Sequence, residues 1–183
     1  QKFPLQAVVK VVGLEKVDST LSVAQSLAAQ GEPAGTLVLS CEQTDTFLGP
    51  RGYVSSDEGG VYFTLLLPPQ TAAEKTGLAL AQAISHTVEN ALELKTKIID
   101  GAVAVWDKTS RKWKEFASVT CTLDDEHVFL SAGILLNNPV PRFLAATHTN
   151  LKKLLKSETS KELFLDAIMD DFWKYYAFAR CER

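Results

Sequence analysis

The sequence predicts an α+β fold: a mostly antiparallel mixed sheet with helices packed against it. Two observations carry this. Between residues 102 and 135 three β-rich runs follow one another across the short charged turns 107–112 and 124–127, and turns that short join antiparallel neighbours. Two stretches instead show helical spacing behind a capping box, Thr71-Ala72-Ala73-Glu74 and Thr159-Ser160-Lys161-Glu162, in which a hydroxyl and a carboxyl satisfy the first orphan N–H groups. Strands grouped apart from helices indicate a layered α+β architecture.

Taken in order, residues 8–14 are apolar and β-rich, and Asp18-Ser19-Thr20 supplies capping side chains for a helix with Val23, Ala24, Leu27 and Ala28 on one face. Gly31 ends it. Residues 36–42 form a strand, 44–60 a polar loop containing glycines, and 61–67 a second strand closed by Pro68-Pro69. Leu80, Ile84, Val88 and Leu92, four apart, make the long helix behind the first capping box. Residues 102–106, 116–123 and 128–135 are the three consecutive strands. Pro141 suits the first turn of a helix running to about residue 156, and Phe164, Ile168 and Phe172 share a face of the last helix.

The 183 residues fit a single domain, 1–183, with no repeat, low-complexity tract or linker to divide them. A net charge of -3, from 19 basic and 22 acidic residues, provides no field for nucleic acid. No apolar run is long enough to span a membrane and no secretory signal is visible, so a cytoplasmic protein is expected, or an organellar one if a targeting segment has been removed. The three cysteines lack close spacing, which argues against a disulfide framework or a cysteine zinc site; Cys41 and Cys121 lie in apolar runs as small hydrophobes, and Cys181 lies at the tail. His86, His127 and His148 never share the i, i+4 spacing of a helical metal pair.

Four segments offer chemistry, each with a plainer structural role. Ser19 and Thr20 can recognise a ligand or simply cap a helix. Gly49-Pro50-Arg51-Gly52 can form a tight turn that seats a carboxylate or phosphate, within a loop that is otherwise a surface connection. Lys97, in a strand-like stretch ending at Asp100, can stabilise negative charge or guard an edge strand. Gly133 and Asn137-Asn138-Pro139 end a strand, where they can serve as turn punctuation.

The order of these segments brings a family into view. Val17-Asp18-Ser19-Thr20, Glu42-Gln43-Thr44, a glycine/arginine loop and Gly59-Gly60-Val61-Tyr62-Phe63 resemble the first half of biotin protein ligase catalytic domains. Lys97-Ile98-Ile99-Asp100 stands where that family carries lysine-tryptophan-proline-asparagine-aspartate, and keeps its first and last members. Lys114-Glu115-Phe116-Ala117-Ser118 is similar to a lysine-hydrophobe-alanine-glycine segment, and residues 131–139 look like the closing glycine-isoleucine-asparagine-x-asparagine strand. The resemblance spans roughly residues 11–141.

It implies a class II synthetase-like biotin/lipoate ligase core that activates biotin with ATP and passes the acyl group to a lysine of a carrier domain. Carried over by position, Ser19, Thr20 and Gln43 would hold the vitamin's head group. Arg51, with the backbone of Gly49 and Gly52, would face the carboxylate and α-phosphate, and Lys97 would bridge the same oxygens. Asp100 would help position Mg²⁺, and Asn137 would approach the ribose or phosphate. The resemblance leaves open lipoate in place of biotin with a lipoyl-carrier domain as partner, a non-catalytic relative that binds a small carboxylic acid or a protein, and a homodimer through an edge strand. One arginine in the loop, where biotin ligases carry two, motivates these alternatives.

Overall fold

A computed structural model describes residues 7–44, 59–69 and 73–181, with side chains to residue 179. Seven strands form one sheet in the order β1-β2-β3-β7-β6-β5-β4, comprising β1 (Lys10–Val17), β2 (Thr36–Gln43), β3 (Val61–Leu67), β4 (Thr96–Ile99), β5 (Ala102–Asp107), β6 (Lys112–Leu123) and β7 (Val128–Ile134). Every pairing is antiparallel except β1 with β2, so the sheet is mixed as expected. The parallel pair arises because α1 (Thr20–Ala29) carries the chain back between β1 and β2, and a crossover is what parallel neighbours require.

Helix α1 begins where Ser19 accepts a hydrogen bond from the Ser22 N–H. It stops at Gly31, whose φ of +90° is the left-handed conformation that glycine adopts freely. The N–H groups of Gly31 and Glu32 then reach back to the carbonyls of Ala28 and Leu27, the paired C-terminal closure of a Schellman motif. One face of the sheet packs on α1 through Ala24, Ala28, Val38, Leu66 and Phe129. The other packs on α2 (Ala73–Leu92) and α4 (Lys161–Cys181), where Phe63, Leu65, Leu80, Ile84, Ile168 and Phe172 form the main core. Both β3 and β7 are buried along their whole length, because each has a neighbour on either side and helices on both faces. The first capping box falls partly on residues outside those described; the second segment starts α4, but with Ser160 in place of Thr159 accepting from the Leu163 N–H and donating its hydroxyl to Glu162. No described helix is long and apolar enough to cross a membrane.

Two expectations need correction. The first strand runs over Lys10–Val17 rather than 8–14, its far end held by pairing with Glu42 and Gln43. The single helix expected from Pro141 to residue 156 is instead a 3-10 turn, Arg142–Leu144, and a short helix α3 (Leu151–Leu155). Between them the chain bridges to β6: the Glu115 N–H donates to the Thr147 carbonyl and the Thr149 N–H to the Glu115 carbonyl. β-branched Thr147 and Thr149 suit that extended path, and the Asn150 side chain accepts from the Lys153 N–H to start α3 anew.

The β5–β6 turn is braced by Asp107, which accepts from the Thr109 N–H at 3.0 Å and the Ser110 hydroxyl at 2.8 Å, with the Lys114 ammonium 3.5 Å away. Burial pushes its carboxyl up, but the Ser110 hydroxyl, the Thr109 and Ser110 N–H groups and Lys114 together hold it below the usual carboxylate range. A depressed carboxyl stabilises the fold above its unfolded pKa of about 4 and loses that contribution as pH falls through the lower folded value. Asp107→Asn is therefore expected to destabilise the fold at pH 7 by roughly 3 kcal/mol, the cost of leaving a buried cation unpaired. In acid denaturation followed by circular dichroism, the gap between wild type and variant should narrow below about pH 4. Ile84, fully buried at the centre of α2, gives the core counterpart: Ile84→Ala should cost about 2–5 kcal/mol in a denaturant titration.

Candidate functional site

The α1 face of the sheet carries a chain of buried polar groups that begins at the helix start. Thr20, fully buried, donates its N–H to Gln43 Oε1 at 3.0 Å, and its hydroxyl lies 3.3 Å from the same oxygen. That hydroxyl is also 2.9 Å from Thr64 Oγ1, which in turn sits 2.7 Å from Ser131 Oγ. Four side chains from α1, β2, β3 and β7 thus form one continuous network inside an otherwise apolar interior. Such a network persists only because each member satisfies the next. Ser19, also buried, sits beside it as the α1 cap.

Strand register shows what shares this face. Leu14, Ser40, Tyr62, Gly133, Ser118, Ala102 and Ile99 are successive cross-strand partners through the whole sheet, and direct partners point to the same side. Thr64 lies two residues beyond Tyr62, on the same side. The middle of the row is low, since Gly133, Ser118 and Ala102 rise little above the backbone. Tyr62 is pinned at its edge: its hydroxyl accepts from Asn138 Nδ2 at 2.9 Å, and its ring fills the space that a Cβ on Gly60 would need.

The predicted site residues divide. Ser19, Thr20 and Gln43 come together. Lys97 pairs with Ala104 in register and lies two residues before Ile99, so it belongs to the same face. It sits on edge strand β4, four strands from Thr64, or roughly 19 Å at the usual spacing. Lys97 is exposed, with its ammonium 5.8 Å from the ring centre of Trp113, a cation–π contact. Asp100, in the turn after β4 with φ of +43°, lines a cavity with Glu74 and Cys121 on the α2 side. Both polar atoms of Asn137 are engaged by the turn before α4, Nδ2 donating to the Thr159 carbonyl and Oδ1 accepting from its N–H. Gly49, Arg51 and Gly52 lie outside the described residues.

Thr64 and Ser131 escaped the sequence reading, although each is a polar residue set in an apolar strand, VYFTLLL and VFLSAGI. Other reactive groups have local roles. His86 meets Asp171, His127 meets Asp124 and His148 meets Glu115, and the described residues hold no group of three metal-ligating side chains. Cys41 and Cys121 are free and half-buried; burial pushes the Cys121 thiol up to about 11, so it stays protonated at neutral pH.

The fold recurs in solved proteins. The biotin protein ligase of Aquifex aeolicus, in complex with biotin and ATP, superposes with a TM-score of 0.79 at 20% identity, over 95% of this chain and 73% of that one. The chain has the fold of the biotin and lipoate protein ligases. The Leishmania major biotin protein ligase in complex with biotinyl-5-AMP matches at 0.71 and 16% identity, over 93% of this chain and 76% of that one. P. falciparum LipL1 in complex with lipoate matches at 0.63 and 14%, over 92% and 62%. No protein-family model matches the sequence. The mostly antiparallel sheet, with α1 on one face and α2 and α4 on the other, is thus the ligase architecture read from the motif order.

The buried network gives a test of its own. Thr64→Val keeps the side-chain shape but leaves Thr20 and Ser131 each short of a partner, at an expected cost of about 2 kcal/mol. Ser131→Ala combined with Thr64→Val should cost less than the sum of the single changes, because the hydroxyls are coupled. Additive losses in chemical denaturation would show that the network does not act as a unit.

Proposed function

We propose that this chain is an ATP-dependent biotin protein ligase, forming biotinyl-adenylate and transferring biotin to a lysine on a carrier domain. The observation that carries the reading is the buried Thr20–Gln43–Thr64–Ser131 network at the start of α1, beside the low floor of Gly133, Ser118 and Ala102. An apolar surface with a few fixed polar groups is how a small pocket orients a ureido-type head group. The solved Aquifex aeolicus ligase with biotin and ATP, and the Leishmania major ligase with biotinyl-5-AMP, support the same reading.

In this proposal Ser19, Thr20 and Gln43 hold the head group, and the acyl tail runs along the floor toward β4. A carboxylate oxygen attacks the α-phosphorus of ATP, pyrophosphate leaves, and an acyl-phosphate anhydride forms. The carrier's lysine amine then attacks the acyl carbon, loses its proton and displaces AMP. Lys97 and Arg51, with the backbone of Gly49 and Gly52, offset the negative charge where carboxylate meets phosphate. The position of Lys97 on the same sheet face supports this role, for which its exposed ammonium would turn from Trp113 to the substrate. Asn137 would serve the nucleotide through the turn it braces. Asp100 lines the cavity on the α2 side and does not fit a Mg²⁺ ligand beside the acyl pocket. Its carboxyl therefore enters no step here.

A second reading, with lipoate as the acid and a lipoyl-carrier domain as acceptor, is favoured by the match to LipL1 in complex with lipoate. Incubation with ATP and either acid, each with its own carrier, separates the two by the mass added to the carrier lysine. Biotinyl transfer is the expected result; lipoyl transfer alone would move the assignment to the second reading, and no adenylate with either acid would reject both. Lys97→Ala should lower adenylate formation roughly a hundredfold while leaving the fold intact, since the residue is exposed on an edge strand.

A further inference from the structure

The β4–β5–β6 end of the sheet holds a second concave site that the acyl-transfer reading does not use. Lys114 pairs in register with Val105, a main-core residue, so its side chain lies on the α2 side, opposite Thr20. Only 7% of Lys114 is exposed. Its ammonium has three N–H donors and one acid within reach, Asp107 at 3.5 Å. That acid already accepts shorter bonds from Thr109 and Ser110 at 3.0 and 2.8 Å. A nine-tenths-buried cation with donors left over is costly unless something else meets it.

Lys114 lines a cavity of about 590 Å³ together with Lys95, Lys108, Lys153 and Lys156, against two acids, Asp107 and Glu93. This volume falls within the range of small-molecule pockets. Leu94 and Leu154, both packed against the main core on the α2 side, give it an apolar wall, and Thr109 and Ser110 line the same space. Lysines gather at helix C-termini on account of the helix dipole. That accounts for Lys156, the C-cap of α3, but not for Lys114, which sits buried in a strand.

We propose that this cavity is an anion site for a phosphorylated small organic molecule of nucleotide size. Lys114 forms the floor that meets the phosphate, Lys153 and Lys156 form the cationic rim, and the wall of Leu94 and Leu154 takes the organic part. The site stands on the sheet face opposite the acyl pocket and does not depend on the ligase reading.

Titration with inorganic phosphate and, separately, with ADP, followed by amide chemical shifts, tests it. Saturable shifts at Thr109, Ser110 and Leu154 are expected with both probes, at lower concentration for ADP because the apolar wall adds contact. Lys153→Gln with Lys156→Gln, both exposed positions, should weaken each probe at those amides by about tenfold or more, and raised salt should do the same. Lys114→Met should abolish the response; should that variant not fold, the double variant still decides. Lys97→Ala should leave the response unchanged. Shifts confined to the opposite face around Thr20 and Gly133, or an affinity untouched by the double variant, would overturn the proposal. Absence of adenylation with an intact response here would count against the ligase reading alone.

Discussion

The hydrogen bond between Thr64 and Ser131 sits at the centre of the molecule, on the two strands that are buried end to end. Two hydroxyls in such a place are costly unless paired, and pairing them uses one donor and leaves another to be placed. Thr20 meets that need, which fixes the first residue of α1 against β3, and Gln43 in turn receives the Thr20 N–H. The seat of α1 is therefore set by polar satisfaction as well as by the apolar contacts of Ala24 and Ala28. An apolar replacement of all four groups would pack equally well but would not dictate where the helix begins.

This constraint also fixes which face of the sheet carries the buried polar groups. The polar groups cannot move into the main core on the α2 side, where β3 presents Phe63, Leu65 and Leu67. They are confined to the other face by strand alternation, beside the row of small residues Gly133, Ser118 and Ala102.

Much of the fold was legible in the sequence, for reasons that are local. Capping at Ser19, the left-handed turn at Gly31 and the four-residue spacing of Leu80, Ile84 and Val88 are short-range signals. The failed helix at 141–156 was decided by a long-range event: Thr147 and Thr149 bond to Glu115, more than 30 residues earlier, and no local pattern announces that bridge. The site divides in the same way. Thr20 and Gln43 were legible through the order of motifs, whereas Thr64 and Ser131 become a pair only when β3 and β7 are set in register. Lys97 was legible as a lysine on an edge strand, and its distance from Thr20 follows from strand order, which places β4 at the far edge.

The separation of the two faces has a further consequence. Lysines of neighbouring segments go to different sides of one sheet: Lys97 belongs with Ala104 and the α1 side, while Lys114 belongs with Val105 and the α2 side. A β-bulge between Val103 and Ala104 shifts the β5–β6 register at this point, so Ala104 meets Glu115 and Val105 meets Lys114. Without that extra residue the alternation of β6 beyond Ala117 would be reversed, turning Lys114 toward the α1 face and Glu115 toward the core. One bulge thus decides that the buried ammonium points away from the α1 face, and lets Glu115 offer its backbone to the 147–149 bridge that sets α3 beside it.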